Sequence, residues 1–378
     1  MNEYQERVTR IVFWQPIASP HQEAFLESLA GRFPGEVILG VEQALPRERV
    51  AQGWQEPIHT NVNVVDISIP ANHAALASHT TPASLHVFSG FFSHRLVWDG
   101  FRKLAPSQAR LAIFSEAPEQ TLATGWLKRL RGRVLAARWA NRFAFVLAIG
   151  GVGCEFFCRI GFPKEKIVPF GYALDVPPLA VAVSSGASDG VVRLVSAGQL
   201  IRRKGIDLLV RACGELPATG WRLDIYGDGP ERTSLEHLVR SQRLAERIIF
   251  HGAVSNTVVQ KSLARADCAV LPSRFDGWGM LVNESLAAGT PVICTASCGA
   301  AQLVSSARLG KVVSSGRITM LAEAMADAVA KGPVSWEDRV GIHAQALSRF
   351  SAMPAAEHFL SLLDRAGRHE SVAPGVGS

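Results

Sequence analysis

The chain has 378 residues, 48% hydrophobic and 19% charged, with 33 Gly, 20 Pro and a formal net charge of +6. That composition excludes a disordered, collagen-like or coiled-coil protein, and the length favours two domains over one. No uninterrupted apolar run reaches the ~18 residues a membrane span needs; the longest attempt, 143–157, is broken by Gly150, Gly151 and Gly153.

In chain order, strand-like apolar runs are predicted at Arg10–Trp14, Glu36–Val41, Val62–Ser68, Leu85–Phe88, Arg110–Phe114, Phe145–Ile149 and Lys166–Phe170. They continue at Val191–Ala197, Arg222–Tyr226, Arg247–Phe250, Cys268–Leu271 and Pro291–Cys294. Helical patterns lie between, among them Gln22–Arg32, Gly205–Gly214, Glu231–Arg243, Met280–Ala288 and Ser351–Arg368. Alternating β and α elements imply α/β architecture with parallel sheets covered on both faces. So many strands exceed one ordinary open sheet, which implies two doubly wound domains. The boundary is placed in the nearly uncharged Val176–Gly190, whose composition suits a linker. The expected division is 1–175, 176–345 and a C-terminal helix and tail over 346–378 that returns to the first domain.

The start, MNEYQERVTR, has no apolar core and does not read as a secretory signal. The six cysteines, Cys154, Cys158, Cys213, Cys268, Cys294 and Cys298, include two C-x3-C pairs with no nearby His. Buried or half-buried reduced thiols in a cytoplasmic protein are expected, with no metal site.

Charge is concentrated. Lys128, Arg129, Arg131, Arg133, Arg138 and Arg142 form an acid-free segment; without it, basic and acidic residues balance at 33 each. Leu127, Leu130 and Val134 recur at helical spacing, with Trp126 and Ala137 on the same side. The stretch 126–143 therefore reads as an amphipathic basic helix, suited to an anionic membrane surface. A core-packed helix with a solvated basic face is the alternative. Nothing resembles a nucleic-acid module, so no nucleic-acid partner is expected.

Three loops in the second half share a strand, a Gly-containing turn and a helix start, the arrangement that suits phosphate. The first, Gly198-Gln-Leu-Ile-Arg-Arg-Lys-Gly205, crowds Arg202, Arg203 and Lys204 at a helix start, a conflict that a bound dianion relieves. The second is Tyr226-Gly-Asp-Gly-Pro230, with Gly227 at the turn and Pro230 in the first helical turn; a tight turn with no ligand is the equal alternative here. The third runs from Pro272 to Glu284; Gly277 and Gly279 lie between the carboxylates of Asp276 and Glu284. Backbone N–H groups there can take a diphosphate while the carboxylates accept from sugar hydroxyls.

Together with Phe250-His-Gly-Ala-Val254 and the block Leu271 to Ile293, these loops resemble the donor domain of the retaining, GT-B-fold group 1 glycosyltransferases, glycosyltransferase family 4. The likeness spans about 191–304 and continues through Lys164 to Asp175. It implies two Rossmann-like domains facing a central cleft, the N-terminal one for the acceptor and the C-terminal one for a UDP- or GDP-linked sugar.

By that resemblance Asp276 binds donor-sugar hydroxyls, Glu284 the ribose, and Arg203 and Lys204 the departing diphosphate. Gly198, Gly227, Gly277, Trp278, Gly279, Met280 and Leu281 bring backbone to the donor, and Val254 contacts the base. The pattern departs in two places. Asp276 stands where the family has Glu, and Gln199 stands where many members have Arg. On the acceptor side Glu116 stands near the family's strand-end His, with Ser19, His21 and Gly90 as further candidates.

The implied reaction is glycosyl transfer with retention and no required metal or cofactor. The implied acceptor is a saccharide or lipid-linked saccharide of bacterial polysaccharide assembly, met peripherally at the inner face of the plasma membrane. Rival readings are a different GT-B enzyme, such as an epimerase or phosphorylase, and a non-catalytic sugar-nucleotide-binding protein.

Overall fold

A computed structural model describes residues 7–51, 54–90, 94–119, 125–179 and 190–367. Its backbone divides into two units. Unit 1 comprises Met1–Pro46, Gln55–Ala173 and Ala352–Ser378; unit 2 comprises Arg47–Trp54 and Leu174–Ser351. The later boundary falls after Ser351, not at 345/346, because the helix Trp336–Phe350 runs unbroken through that point. Most of the expected linker, residues 180–189, lies outside the described residues.

Unit 1 holds β1 Arg10–Gln15, β2 Glu36–Val41, β3 Asn63–Asp66, β4 Ser84–Ser89, β5 Arg110–Glu116, β6 Phe145–Ile149 and β7 Ile167–Phe170. They form one parallel sheet in the order β3-β2-β1-β4-β5-β6-β7. Unit 2 holds β8 Val192–Ala197, β9 Trp221–Tyr226, β10 Ile248–Gly252, β11 Cys268–Leu271, β12 Val292–Thr295 and β13 Gly310–Val313, in the parallel order β10-β9-β8-β11-β12-β13. The expected strands are all present. β13 is additional: a short edge strand with an exposed face and no apolar run to announce it.

Helices cover both faces, so central strands such as β6 are buried throughout. On one face of unit 1, Phe13 of β1 packs on Phe25 and on Phe359, with ring centroids 6.2 and 5.9 Å away. Phe359 belongs to the last helix, Ala352–Gly367, and is fully buried, so the C-terminal helix completes the unit 1 core. On the other face Trp14 donates Nε1–H to His86 Nδ1 at 3.0 Å. In unit 2 the core gathers Leu194, Leu209, Leu223, Val270, Ile293 and Met325. The helix Trp336–Phe350 is anchored by Arg339, whose buried guanidinium meets the Ala266 carbonyl at 2.7 Å, Thr290 Oγ1 at 3.0 Å and Asp267 Oδ1 at 3.3 Å.

Each strand order reverses once, between β1 and β4 and between β8 and β11. Such switch points open a crevice at the carboxyl ends of the strands, where loops diverge. In unit 2 the diverging loops are those after β8 and β11, which carry the two densest motifs.

Candidate functional site

β8 ends at Ala197 and the chain turns through Gly198 into a 3-10 turn, Arg202–Lys204, before the helix Ile206–Cys213. Gly198 N–H donates to the Tyr226 carbonyl at 2.9 Å, joining the first loop to the second. Gly227 has φ 124°, and a Cβ there would lie 2.0 Å from the Gly198 carbonyl oxygen, so only glycine fits. A Cβ on Gly205 (φ 70°) would lie 2.2 Å from the Pro272 carbonyl oxygen. That close approach brings the basic turn against the loop after β11. Pro230 lies just before the helix Arg232–Ser241, outside its first turn, because Glu231 is the N-cap.

The two loops meet at Asp276. Lys204 Nζ donates to Asp276 Oδ2 at 2.6 Å, and Arg203 Nη1 stands 3.8 Å from Oδ1 while donating to the Phe275 carbonyl at 3.1 Å. Asp276 is 7% exposed. The conflict expected among the three cations is therefore eased within the protein itself. Beside this turn Arg274 grips Asp207, in the first turn of the next helix, with both Nη atoms at 2.6 and 2.7 Å, so that the pair adds no net charge.

Gly277 follows Asp276, and Gly279 (φ 97°) caps the helix Met280–Ala287, which starts with Met280 and buries Leu281. The Trp278 side chain is buried, and its Nε1–H donates to Asn283 Oδ1 at 2.8 Å. Glu284 lies just beyond the first turn of that helix. Desolvation pushes its carboxyl up to about 7, against the lowering effects of an Asn256 side-chain hydrogen bond and the Lys204 charge. Asn256 opens the helix Asn256–Arg265, two residues after the half-buried Val254, and so ties the β10 loop to the helix bearing Glu284. At the helix's other end, buried His343 bonds the Ala287 carbonyl at 2.7 Å. Sequence reasoning overlooked both Asn256 and His343; Asn256 was legible only as a polar residue beside Val254.

This edge thus presents a cation pair, a left-handed glycine at a helix start and two carboxylates, Asp276 and Glu284. Such a set can neutralise a diphosphate and accept hydrogen bonds from sugar hydroxyls. Among the described residues no three His, Cys, Asp or Glu side chains converge as a metal-binding group. All six cysteines are unpaired; Cys158 is exposed, not buried or half-buried as expected.

In unit 1, Ser19 N-caps the helix Pro20–Ala30 without a side-chain cap bond, and His21 lies in that helix's first turn. Gly90 (φ 76°) directly follows β4. Glu116 ends β5 and accepts from Tyr172 Oη–H at 2.9 Å. The Tyr172 ring stands 6.1 Å from His21 and 6.0 Å from Phe114. Tyr172 was not among the expected residues, because its partner is 56 positions away.

The basic segment forms a helix over Gly125–Trp139 and a 3-10 turn over Ala140–Arg142. Its apolar stripe does not pack on the core. Trp126, Leu127, Leu130 and Val134 are 56%, 50%, 52% and 61% exposed, while the small residues Gly125, Gly132 and Ala136 form the buried face. A Cβ on Gly132 would lie 2.9 Å from Ile160, so the close-packed face must be small. The exposed surface ends before 143. Phe143 is buried, and Arg142 is spent on the Ala105, Ser107 and Ala109 carbonyls at 2.7, 2.8 and 2.6 Å. Among the described residues no helix is long and apolar enough to cross a membrane.

Residues 183–345 match the family model of glycosyl transferases group 1. A lipopolysaccharide core biosynthesis glycosyltransferase of Rhizobium meliloti, LpsD, is 29% identical over 201 residues, covering 53% of this chain and 57% of that protein. A GDP-mannose-dependent phosphatidylinositol monomannoside mannosyltransferase of Mycobacterium tuberculosis is 34% identical over 146 residues, covering 35% and 37%. The chain spans from about a third to just over half the length of the curated relatives it matches. For the fold, Anabaena HepE in complex with UDP superposes with TM-score 0.70 at 15% identity, covering 94% of this chain and 99% of that one. The lipopolysaccharide outer core galactosyltransferase WaaB gives 0.68 at 16% identity, covering 94% and 98%. The two parallel sheets have the GT-B fold, and over residues 183–345 the chain is similar to the group 1 glycosyl transferases.

Proposed function

We propose that the protein is a retaining, metal-independent glycosyltransferase that moves a sugar from a nucleoside diphosphate sugar to an alcohol on a saccharide or lipid-linked saccharide. The observation that carries this reading is the Lys204–Asp276 contact of 2.6 Å at the β8/β11 switch point, beside the Gly279 helix start and Glu284. Arg203 and Lys204 stabilise charge on the leaving β-phosphate, as fixed donors do where charge develops. Asp276 holds sugar hydroxyls, and Glu284 accepts from the ribose. Backbone at Gly198, Gly227, Gly277, Trp278, Gly279, Met280 and Leu281 lines the donor, and Val254 meets the base.

The acceptor oxygen bonds to the anomeric carbon as the bond to the β-phosphate oxygen breaks on the same face. That departing oxygen takes the acceptor's proton, so no side chain need act as nucleophile. Glu116 orients the acceptor hydroxyl or, in place of that oxygen, serves as its base, with Ser19, His21 and Gly90 around it.

The UDP held by HepE, and a GDP-mannose-dependent relative, support a UDP- or GDP-linked donor. Lipopolysaccharide enzymes among the relatives support a saccharide acceptor carried on lipid. The exposed stripe Trp126, Leu127, Leu130 and Val134, flanked by Lys128, Arg131 and Arg133, supports peripheral attachment at an anionic membrane surface. The unpaired cysteines support a reducing cytoplasm. A thermal-shift panel of UDP-, GDP- and ADP-sugars tests the reading. One nucleotide class should raise the transition temperature, by an amount that grows with the logarithm of its concentration above its Kd; no shift with any of them refutes it.

A further inference from the structure

At the carboxyl edge of the unit 1 sheet, four side chains from three stretches of chain form a directed series of hydrogen bonds. The Gln15 side-chain amide, at the end of β1, donates to the Gln22 side-chain oxygen. Gln22 in turn hydrogen-bonds the Tyr172 side chain. Tyr172 then donates its hydroxyl proton to Glu116 Oε1 at 2.9 Å. Gln15 and Gln22 are 2% and 6% exposed, so water does not substitute for these partners.

The direction of the series matters. With its oxygen engaged by Gln15, Gln22 meets the phenol oxygen through its N–H groups. A phenol that accepts there offers its own proton onward. Burial and the adjoining Glu116 charge raise the Tyr172 phenol well above its usual range, so it stays a protonated donor. Every dipole therefore points its positive end at Glu116, an alignment that polarises and strengthens successive bonds. A bond from a neutral donor to a carboxylate is among the stronger hydrogen bonds in proteins. The Tyr172 ring, packed on Phe114, is the lever that keeps this geometry.

We propose that Tyr172 is the positioning residue of Glu116: through the Gln15–Gln22 relay its hydroxyl sets the rotation of that carboxylate toward the acceptor alcohol. The inference rests on the reading of Glu116 as the acceptor-orienting group. In this role Tyr172 acts through Glu116.

A double-mutant cycle tests this. Tyr172→Phe keeps the ring and removes the hydroxyl. It should lower the kcat of transfer on the order of tenfold or more, the worth of a hydrogen bond to a charged group, with the donor KM unchanged. In a Glu116→Ala background the same substitution should cost nothing further, because the relay then has no target. Equal losses in both backgrounds, or no loss in the wild-type background, overturn the inference and leave the Glu116 reading intact if Glu116→Ala is itself impaired. Full activity of Glu116→Ala overturns that reading, and the inference with it. Gln22→Met breaks the relay one step earlier and serves the same cycle should Tyr172→Phe fold poorly. A smaller loss that also vanishes without Glu116 supports the relay, and a loss that persists there contradicts it.

Discussion

Glu284 should make nucleotide binding depend on pH in the neutral range. Its carboxyl is raised from 4.5 to about 7 by desolvation, with Asn256 and Lys204 acting in the opposite direction. If ribose hydroxyls donate to the ionised form, the binding constant follows the ionised fraction. For a group titrating near 7 that fraction rises from about one tenth at pH 6 to about nine tenths at pH 8, so affinity should rise roughly tenfold. The sign for stability is opposite. A carboxyl whose folded pKa lies above its unfolded value is most favourable to folding below 4.5 and becomes costly as pH climbs through 7. Glu284→Gln should therefore flatten the pH dependence of binding and stabilise the free protein at pH 8. Calorimetric titration of UDP and GDP into both proteins, from pH 6 to 8, reads the difference and cancels the nucleotide's own titration. Parallel pH profiles in wild type and Glu284→Gln would refute the reasoning.

Lys204→Ala should lower kcat by roughly 10²-fold or more if Lys204 stabilises the leaving charge, and steady-state rates at saturating donor measure it; unaltered turnover removes Lys204 from the mechanism. His86, fully buried, is depressed from 6.5 to about 4 chiefly by desolvation. Its contribution is intact above pH 6.5 and lost as pH falls to 4, a change of about 3 kcal/mol; urea titrations of the unit 1 transition should show it, and a His86→Phe protein should lose that component. The exposed stripe should bind anionic vesicles in a salt-sensitive manner. Trp126→Ser with Leu130→Ser should weaken co-sedimentation at least tenfold, since each buried apolar side chain is worth ~1.5–3 kcal/mol; equal binding to neutral vesicles contradicts the electrostatic part.

The donor edge was legible because its chemistry is local in the chain. A strand, a glycine turn and a helix start are contiguous, so Gly198 to Gly205 and Pro272 to Glu284 carry their geometry in their order. What the sequence concealed is pairwise and distant. The Lys204–Asp276 contact joins residues 72 apart, and it eases a charge conflict that otherwise points only to a ligand. Tyr172 meets Glu116 because the loop after β7 returns to the end of β5, a closure no periodicity announces. The basic helix shows a different limit. Its large apolar residues marked a face correctly, but burial went to Gly132 and Ala136, whose smallness allows close packing. β13 escaped because an edge strand needs no apolar run.

The most direct measurement is a calorimetric titration of UDP and GDP into the wild-type chain, Lys204→Ala and Glu284→Ala. The account predicts saturable one-to-one binding of at least one nucleoside diphosphate to the wild type, weakened tenfold or more by each substitution. Binding of neither nucleotide, or binding that both variants retain in full, would contradict it.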